Sequence, residues 1–306
     1  SSGNHHLAAL FAHLGTWRPD VVHAHDWRAA WAAHSLATMC AVPLLTTFHS
    51  TESGRQGGNV PEGNSASIHS VESWIANVSH RVICCSRFMQ REVIDGFELM
   101  PDQVQLIPNG VDVDVWAPHS EQQRNMLVLA WGRVQYEKGF QVLAQAIGRL
   151  RGRVPGIRCV IAGRGPYLPE LQSQVDIEGV SDLVHLAGYV TDEELRLLLH
   201  EAGCVVIPSL YEPFGIVALE SLAANAPTIV ARTGGLAEIM EGTEASLMFE
   251  PGNAKDLATR IERVLMNPHV SQKMQVQGSE VLHARFSWDA IARATIGAYE
   301  IARTSW

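Results

Sequence analysis

The sequence predicts an α/β protein made of two Rossmann-like halves, each built on a parallel sheet. Three observations predict it. Short apolar runs alternate with stretches of helical periodicity along the whole chain. One polar stretch, WAPHSEQQRN, separates two such series, and several apolar runs end in glycine-bearing loops. Apolar runs of this length bounded by turns fit strands buried on both faces, and strands alternating with helices need the crossovers of a parallel sheet.

The expected strands are Val21–Ala24, Leu44–Thr47, Val82–Cys85, Gln105–Ile107, Leu127–Trp131, Cys159–Ala162, Val184–Leu186, Cys204–Ile207, Thr228–Ala231 and Ser246–Phe249. Helical patterns fall between most of them: Trp27–Met39, Ile68–Ala76, Arg87–Gly96, Gln141–Leu150, Tyr167–Gly179, Asp192–Ala202, Gly215–Ala223, Leu236–Glu241 and Ala254–Met266. The polar break near Trp116–Arg124 divides residues 1–118 from a second Rossmann-like domain at 119–285. A closing helix in 286–306 is expected to cross back to the first domain. Two such halves facing each other would leave a cleft, where small-molecule sites tend to lie. Ser50–Ser67, rich in Gly, Ser and Asn, reads as a long functional or mobile loop.

Composition narrows the function classes. At 306 residues, 46% hydrophobic and 18% charged, the chain is globular, and its net charge of −9 argues against a nucleic-acid or acidic-membrane partner. Any phosphate site must therefore be local. The five cysteines, Cys40, Cys84, Cys85, Cys159 and Cys204, are scattered without metal-ligand spacing and read as thiols of a reducing compartment. No apolar run is long enough to span a bilayer and no signal peptide is apparent, so a cytoplasmic location is expected. Nothing in the sequence sets the oligomeric state.

The chemistry concentrates in IPSLYEPFGIVALE, where Glu212 sits in a strand-to-helix loop and Glu220 lies eight residues on, about two turns into the helix. Carboxyl ends of parallel strands are where ligands bind, and a helix start offers N–H groups and a positive dipole end to an anion. Two carboxylates around an anion site suit a ligand carrying both a diphosphate and hydroxyl groups. Taken alone, Glu212 is better read as a turn residue before proline, and Glu220 as a solvated helix position. In GRVQYEKG, Arg133 and Lys138 stand between Gly132 and Gly139 in another strand-to-helix loop. Cations there would neutralise a diphosphate and stabilise it as a leaving group, or would simply pair with Glu137 or solvent.

Weaker signals lie elsewhere. Gly163-x-Gly165 is a weak phosphate-loop signal that lacks the full dinucleotide fingerprint, and Gly234-Gly235 before a helix could hold a ligand phosphate but reads rather as a tight turn. His23, His25 and Asp26 mark the end of one strand, and His49 the end of the next. A His-x-His metal pair lacks a third ligand. A histidine at a strand end reads better as a hydrogen-bonding partner of a substrate hydroxyl, with a structural role equally open for His23. Asp112-x-Asp114 follows Asn109-Gly110 in a loop and reads as structural.

In this order HAHDW, TTFHST, CSRFM, IPNGVDVDVW, GRVQYEKG, IAGRGP, PSLYEPFGIVALE and FSWDAIA resemble the retaining nucleotide-sugar glycosyltransferases of family 4, which have the GT-B fold. HAHDW and the NGVD segment are similar to the bacterial glycogen synthase branch, pointing to a glucosyl donor such as UDP-glucose or ADP-glucose. The resemblance implies that Arg133 and Lys138 hold the donor diphosphate, Glu212 faces the transferred sugar and Glu220 binds the ribose hydroxyls. It implies that Gly132 and the amides of Phe214, Gly215 and Ile216 contact sugar and phosphate. It also implies that His49 reaches the donor sugar from the N-terminal domain, and that Asp26 positions sugar or acceptor groups. Transfer would run to a glycan or small-molecule acceptor with retention, through an oxocarbenium-like ion pair, with no cofactor and no essential metal. Family members open on a strand and a glycine-rich loop, whereas this chain opens on SSGNHHLAALFAHLG, with Leu7, Leu10, Phe11 and Leu14 at helical spacing. The N-terminal domain is therefore expected to be incomplete, and a nucleotide-sugar-binding module without turnover is the alternative expectation.

Overall fold

The computed structural model describes residues 16–118 and 124–304; the spacing of Leu7 to Leu14 lies outside them. Two compact units divide the chain, Ser1–Asn109 with Asp289–Trp306, and Gly110–Trp288.

The first unit carries β1 (Val22–His25), α1 (Ala30–Cys40), β2 (Leu44–Phe48), α2 (Glu52–Arg55), α3 (Asn64–Val78), β3 (Arg81–Cys84), α4 (Arg87–Phe97) and β4 (Val104–Leu106). Its four strands pair in chain order, all parallel, with Val22 opposite Leu44, Leu45 opposite Arg81 and Val82 opposite Val104. Every residue of β2 is buried, as a central parallel strand requires. Ser86 starts α4 by accepting the Met89 N–H at 3.0 Å, a cap worth about 1 kcal/mol.

The stretch Ser50–Ser67 is not one long loop. Thr51 caps the single turn of α2 through the Gly54 N–H at 2.9 Å, and α3 already begins at Asn64. A buried polar cluster replaces apolar packing here. Arg55 bonds Glu52 at 2.7 Å and Glu72 at 3.3 Å, the Glu52 N–H donates to Glu72 at 2.8 Å, and Ser65 donates to Glu52. Burial pushes the Glu72 carboxyl up to about 7, against the opposing pull of the Glu52 N–H and Arg55.

The second unit continues with α5 (Val113–Trp116), β5 (Leu127–Trp131), α6 (Phe140–Leu150), β6 (Arg158–Ala162), α7 (Leu168–Ile177), β7 (Val184–Gly188) and α8 (Asp192–Glu201). It is completed by β8 (Cys204–Ile207), α9 (Ile216–Ala223), β9 (Thr228–Ala231), α10 (Gly234–Met240), β10 (Ser246–Phe249), α11 (Ala254–Met266) and α12 (Pro268–Arg285). The six strands are parallel in the order β10-β9-β8-β5-β6-β7. Chain order reverses at β5, which pairs with β6 on one side and β8 on the other. Phe140, Leu143, Ile147 and Leu150 of α6 join Leu257, Ile261 and Val264 of α11 in one buried cluster. That spacing of three and four residues is the apolar stripe of a helix lying on a sheet. Thr191 and Glu194 close a reciprocal capping box at the start of α8.

The unit boundary falls at Asn109–Gly110 rather than at the polar stretch near residue 118. The reason lies in the bonding of the segment that follows: the Val111 N–H donates to the Phe286 carbonyl at 3.1 Å, and Asp112 caps α5 through the Asp114 and Val115 N–H groups. Both attachments tie the NGVD segment to the second unit. The closing helix α13 (Trp288–Thr304) returns to the first, where Ala298 and Ala302 are fully buried with Leu45, Ile83 and Ile107. Helix α12 was not expected from the sequence. Its buried stripe is only Met274, Gly278, Val281 and Leu282 over 18 residues, too sparse to stand out as a period. All five cysteines are free thiols. Among the described residues no helix is long and apolar enough to cross a membrane.

Candidate active site

The reversal of strand order sets a crevice at the carboxyl ends of β5 and β8, the place where open α/β sheets bind ligands. The loop after β5 carries Gly132, Arg133 and Lys138, and the loop after β8 carries Glu212. The two loops are locked together by backbone: Leu210 donates its N–H to the Glu137 carbonyl at 2.8 Å. Gly139 makes this approach possible, because a Cβ there would fall 1.9 Å from the Pro208 carbonyl oxygen.

Lys138 Nζ donates to Glu212 Oε2 at 2.8 Å, and Ser209 Oγ donates to the same oxygen at 3.2 Å. Glu212 is only 9% exposed, so this pairing offsets the cost of burying its charge. Its Oε1 makes no hydrogen bond among the described residues. Lys138 therefore pairs with Glu212, not with Glu137. Arg133 stands exposed with no side-chain partner among the described residues. A cavity of about 180 Å³ is lined by Trp131, Gly132, Arg133, Lys138, Ser209 and Glu212, with apolar walls that include Phe140 and Val217.

Beyond Glu212 the chain turns into α9. Phe214 is buried, Gly215 takes φ 111° as the cap and Ile216 is exposed. The first bonds of the helix run from Ala218 and Leu219 back to the Gly215 carbonyl, so the amides of Phe214, Gly215 and Ile216 donate to nothing among the described residues. Unpaired amides at a helix start can take an anion. Glu220, further along α9, is half-buried, and Trp131 Nε1 donates to its Oε2 at 3.3 Å. Burial raises the Glu220 pKa, the Trp131 bond opposes that, and nearby Asp192 adds to it.

Asp26 and His49 belong to the first unit. Asp26 adopts φ 56°, a left-handed conformation that strains a non-glycine residue by about 1 kcal/mol or more. Two bonds hold it there: its N–H donates to Thr47 at 3.0 Å, and its Oδ1 accepts the His49 N–H at 2.9 Å. His25 Nδ1 and His49 Nε2 are hydrogen-bonded at 2.9 Å with the rings stacked. His23 is held between Thr47 at 2.7 Å and Tyr299 at 2.9 Å, a structural setting. Burial, then His25 and His49, push His23 down to about 4. Burial and His49 also lower His25, with Asp26 opposing.

The remaining motifs resolve as packing. A Cβ on Gly163 would lie 1.8 Å from the Gly132 carbonyl oxygen, so this glycine lets two strand-end loops touch. Gly235 donates its N–H to the Glu212 carbonyl at 2.9 Å in the first turn of α10. Among the described residues no group of three His, Cys, Asp or Glu is placed to hold a metal. The sequence reading missed Ser209 and Trp131. Trp131, an aromatic residue ending an apolar strand just before Gly132-Arg133, was the available signal.

Residues 116–281 match the family profile described as glycosyl transferases group 1, and residues 4–115 match that of glycosyltransferase family 4. A glycogen synthase of Mycobacterium tuberculosis is 37% identical over 295 residues, covering 95% of this chain and 71% of that protein. The chain belongs to the family 4 glycosyltransferases. A glycosyltransferase of uncharacterised activity from Methanocaldococcus jannaschii is 34% identical over 94% of this chain and 77% of its own length. Among solved structures, a sucrose-phosphate synthase from Thermosynechococcus elongatus superposes with a TM-score of 0.82 at 24% identity, over 99% of this chain and 78% of that one. Anabaena HepE, solved in complex with UDP and glucose, gives 0.82 at 20% identity over 96% and 80%. The chain is thus a glycogen synthase-like glycosyltransferase, and its two parallel-sheet units are those of the GT-B fold.

Proposed function

We propose that this glycosyltransferase moves a hexosyl group, glucose in the first instance, from a nucleoside diphosphate sugar to a hydroxyl of a glycan or small-molecule acceptor, with retention and without an essential metal. The observation that carries the reading is the Lys138–Glu212 pair, joined at 2.8 Å at the strand-order reversal beside the exposed Arg133. In this reading Arg133, Lys138, Gly132 and the amides of Phe214, Gly215 and Ile216 hold the diphosphate and the sugar next to it. Glu212 keeps Oε1 toward the sugar, Glu220 accepts the ribose hydroxyls, and His49 and Asp26 contact sugar or acceptor.

The bond that breaks joins the anomeric carbon to the diphosphate oxygen. Positive charge grows on the sugar as negative charge grows on the leaving group, and fixed cations stabilise the latter without reorganising. The acceptor oxygen bonds the anomeric carbon from the face the diphosphate leaves, and its proton passes to the departing phosphate. Two cations supply the charge that a metal would otherwise bring. The glucosyl assignment draws support from the mycobacterial glycogen synthase and from the glucose bound by HepE.

The test is release of nucleoside diphosphate from UDP-, ADP- and GDP-glucose, with and without maltooligosaccharide, followed by proton NMR of the new anomeric centre. Release with an α-configured product is expected. Tight binding of a donor with neither transfer nor hydrolysis would leave a binding module instead.

A further inference from the structure

We propose that Trp131 is a positioning residue for Glu220, and that its indole N–H sets how strongly the site distinguishes a ribose bearing both hydroxyls from one lacking them. This rests on the reading of Glu220 as the ribose-binding carboxylate. Trp131 is the last residue of β5, at the strand-order reversal, and it lines the cavity that holds Arg133, Lys138 and Glu212. Its Nε1 donates to Glu220 Oε2 at 3.3 Å. Glu220 has no cation and no other side-chain hydrogen bond among the described residues.

An indole nitrogen only donates, so it must meet an oxygen that accepts. That contact favours the ionised carboxylate, the stronger acceptor, and restrains its rotation, with one oxygen bonded to the indole and the other without a side-chain partner among the described residues. A vicinal diol binds a carboxylate best when both oxygens lie in one defined plane, and a freely rotating glutamate would lose that geometry. Burial works against the ionised form of Glu220, as does the charge of Asp192, and the Trp131 N–H is the interaction that opposes them. Trp131 so acts through Glu220 and need not touch the ligand.

The competing role is packing alone, with the indole serving only as a wall of the cavity. Calorimetric titration separates the two, using UDP, ADP and GDP and their 2′,3′-dideoxy forms against the wild type, W131F, W131L, E220Q and W131F/E220Q. The wild type is expected to bind the ribo form of at least one nucleotide about tenfold or more tighter than its dideoxy form, the scale of hydrogen bonds to a charged group. Both W131F and W131L are expected to cut that ratio severalfold although their shapes differ. E220Q should abolish most of it, and the double variant should lose nothing beyond E220Q. The ratio compares two ligands on one protein sample, so a partly unfolded variant leaves it unchanged. A Trp131 variant that weakens ribo and dideoxy forms by the same factor, or losses that add fully in the double variant, would overturn the proposal. A wild type that binds none of the nucleotides, or binds without discrimination, would instead sink the donor-site reading on which it stands.

Discussion

Lys138 and Glu220 illustrate how two residues of one site divide the work. Lys138 holds a buried carboxylate and faces the place where leaving-group charge would develop; Glu220 lies on α9 away from that charge. Lys138→Ala is therefore expected to lower kcat by about 10²–10³-fold with a smaller change in donor affinity. Glu220→Ala is expected to raise the donor Kd with less effect on kcat. Steady-state kinetics with matched nucleotide titrations separate these outcomes, and equal losses of affinity alone would contradict the assigned roles. The loops that carry Arg133, Lys138 and Glu212 could be placed from the sequence because each follows an apolar strand pattern and precedes a helical one, and Glu220 lies in the helical pattern after the second loop. The Trp131 bond to Glu220 was not legible there, because it depends on β8 lying beside β5, and chain order does not reveal that pairing; Ser209 meets Glu212 within its own loop, a contact that no periodic pattern marks.

Single elements are held by polar ties as well as by apolar stripes. Arg124 donates to the carbonyls of Leu199 at 2.9 Å, Ala202 at 2.8 Å, Ala224 at 3.3 Å and Asn225 at 2.6 Å. It thus caps the ends of α8 and α9 together, and burial lowers its pKa to about 10. Arg124→Leu leaves those carbonyls short of donors and is expected to destabilise the second unit by about 2–4 kcal/mol in urea unfolding. Helices α8 and α9 were expected from the sequence, yet this tie was not, since a lone arginine next to a polar linker carries no local signal.

The buried cluster under α2 gives a pH signature. Glu72 has a folded pKa of about 7 against an ordinary 4.5, so its contribution to stability is fully present below 4.5 and is lost as pH rises through 7. Glu72→Gln removes that loss. Relative to the wild type it is expected to gain roughly 2–3 kcal/mol between pH 4.5 and 7.5, at about 1.4 kcal/mol per pKa unit. His23 works in the opposite direction: its pKa is depressed to about 4, so its contribution is present above 6.5 and is lost as pH falls toward 4. Urea midpoints across this range should fall on acidification more steeply in the glutamine variant than in the wild type. A variant that tracks the wild type at every pH would show that Glu72 does not titrate with folding.

At the scale of the molecule, the strand alternation was readable from hydrophobic pattern. The unit boundary was not. A polar stretch marks where chain is exposed, whereas the division is made by backbone bonds such as Val111 to Phe286 across a long sequence separation. The strand order β8-β5-β6, which creates the site, is likewise a tertiary fact. If that site holds a nucleotide-sugar, the cognate donor raises the melting temperature by an amount that grows with the logarithm of its affinity at fixed concentration, and a panel of UDP-, ADP- and GDP-sugars ranks them. The most direct measurement of the central claim is a crystal structure with the donor that stabilises the protein most. The account predicts the diphosphate between Arg133 and Lys138, the sugar beside Glu212 and the ribose hydroxyls on Glu220. A nucleotide bound away from the carboxyl ends of β5 and β8, with the Lys138–Glu212 pair untouched, would contradict it.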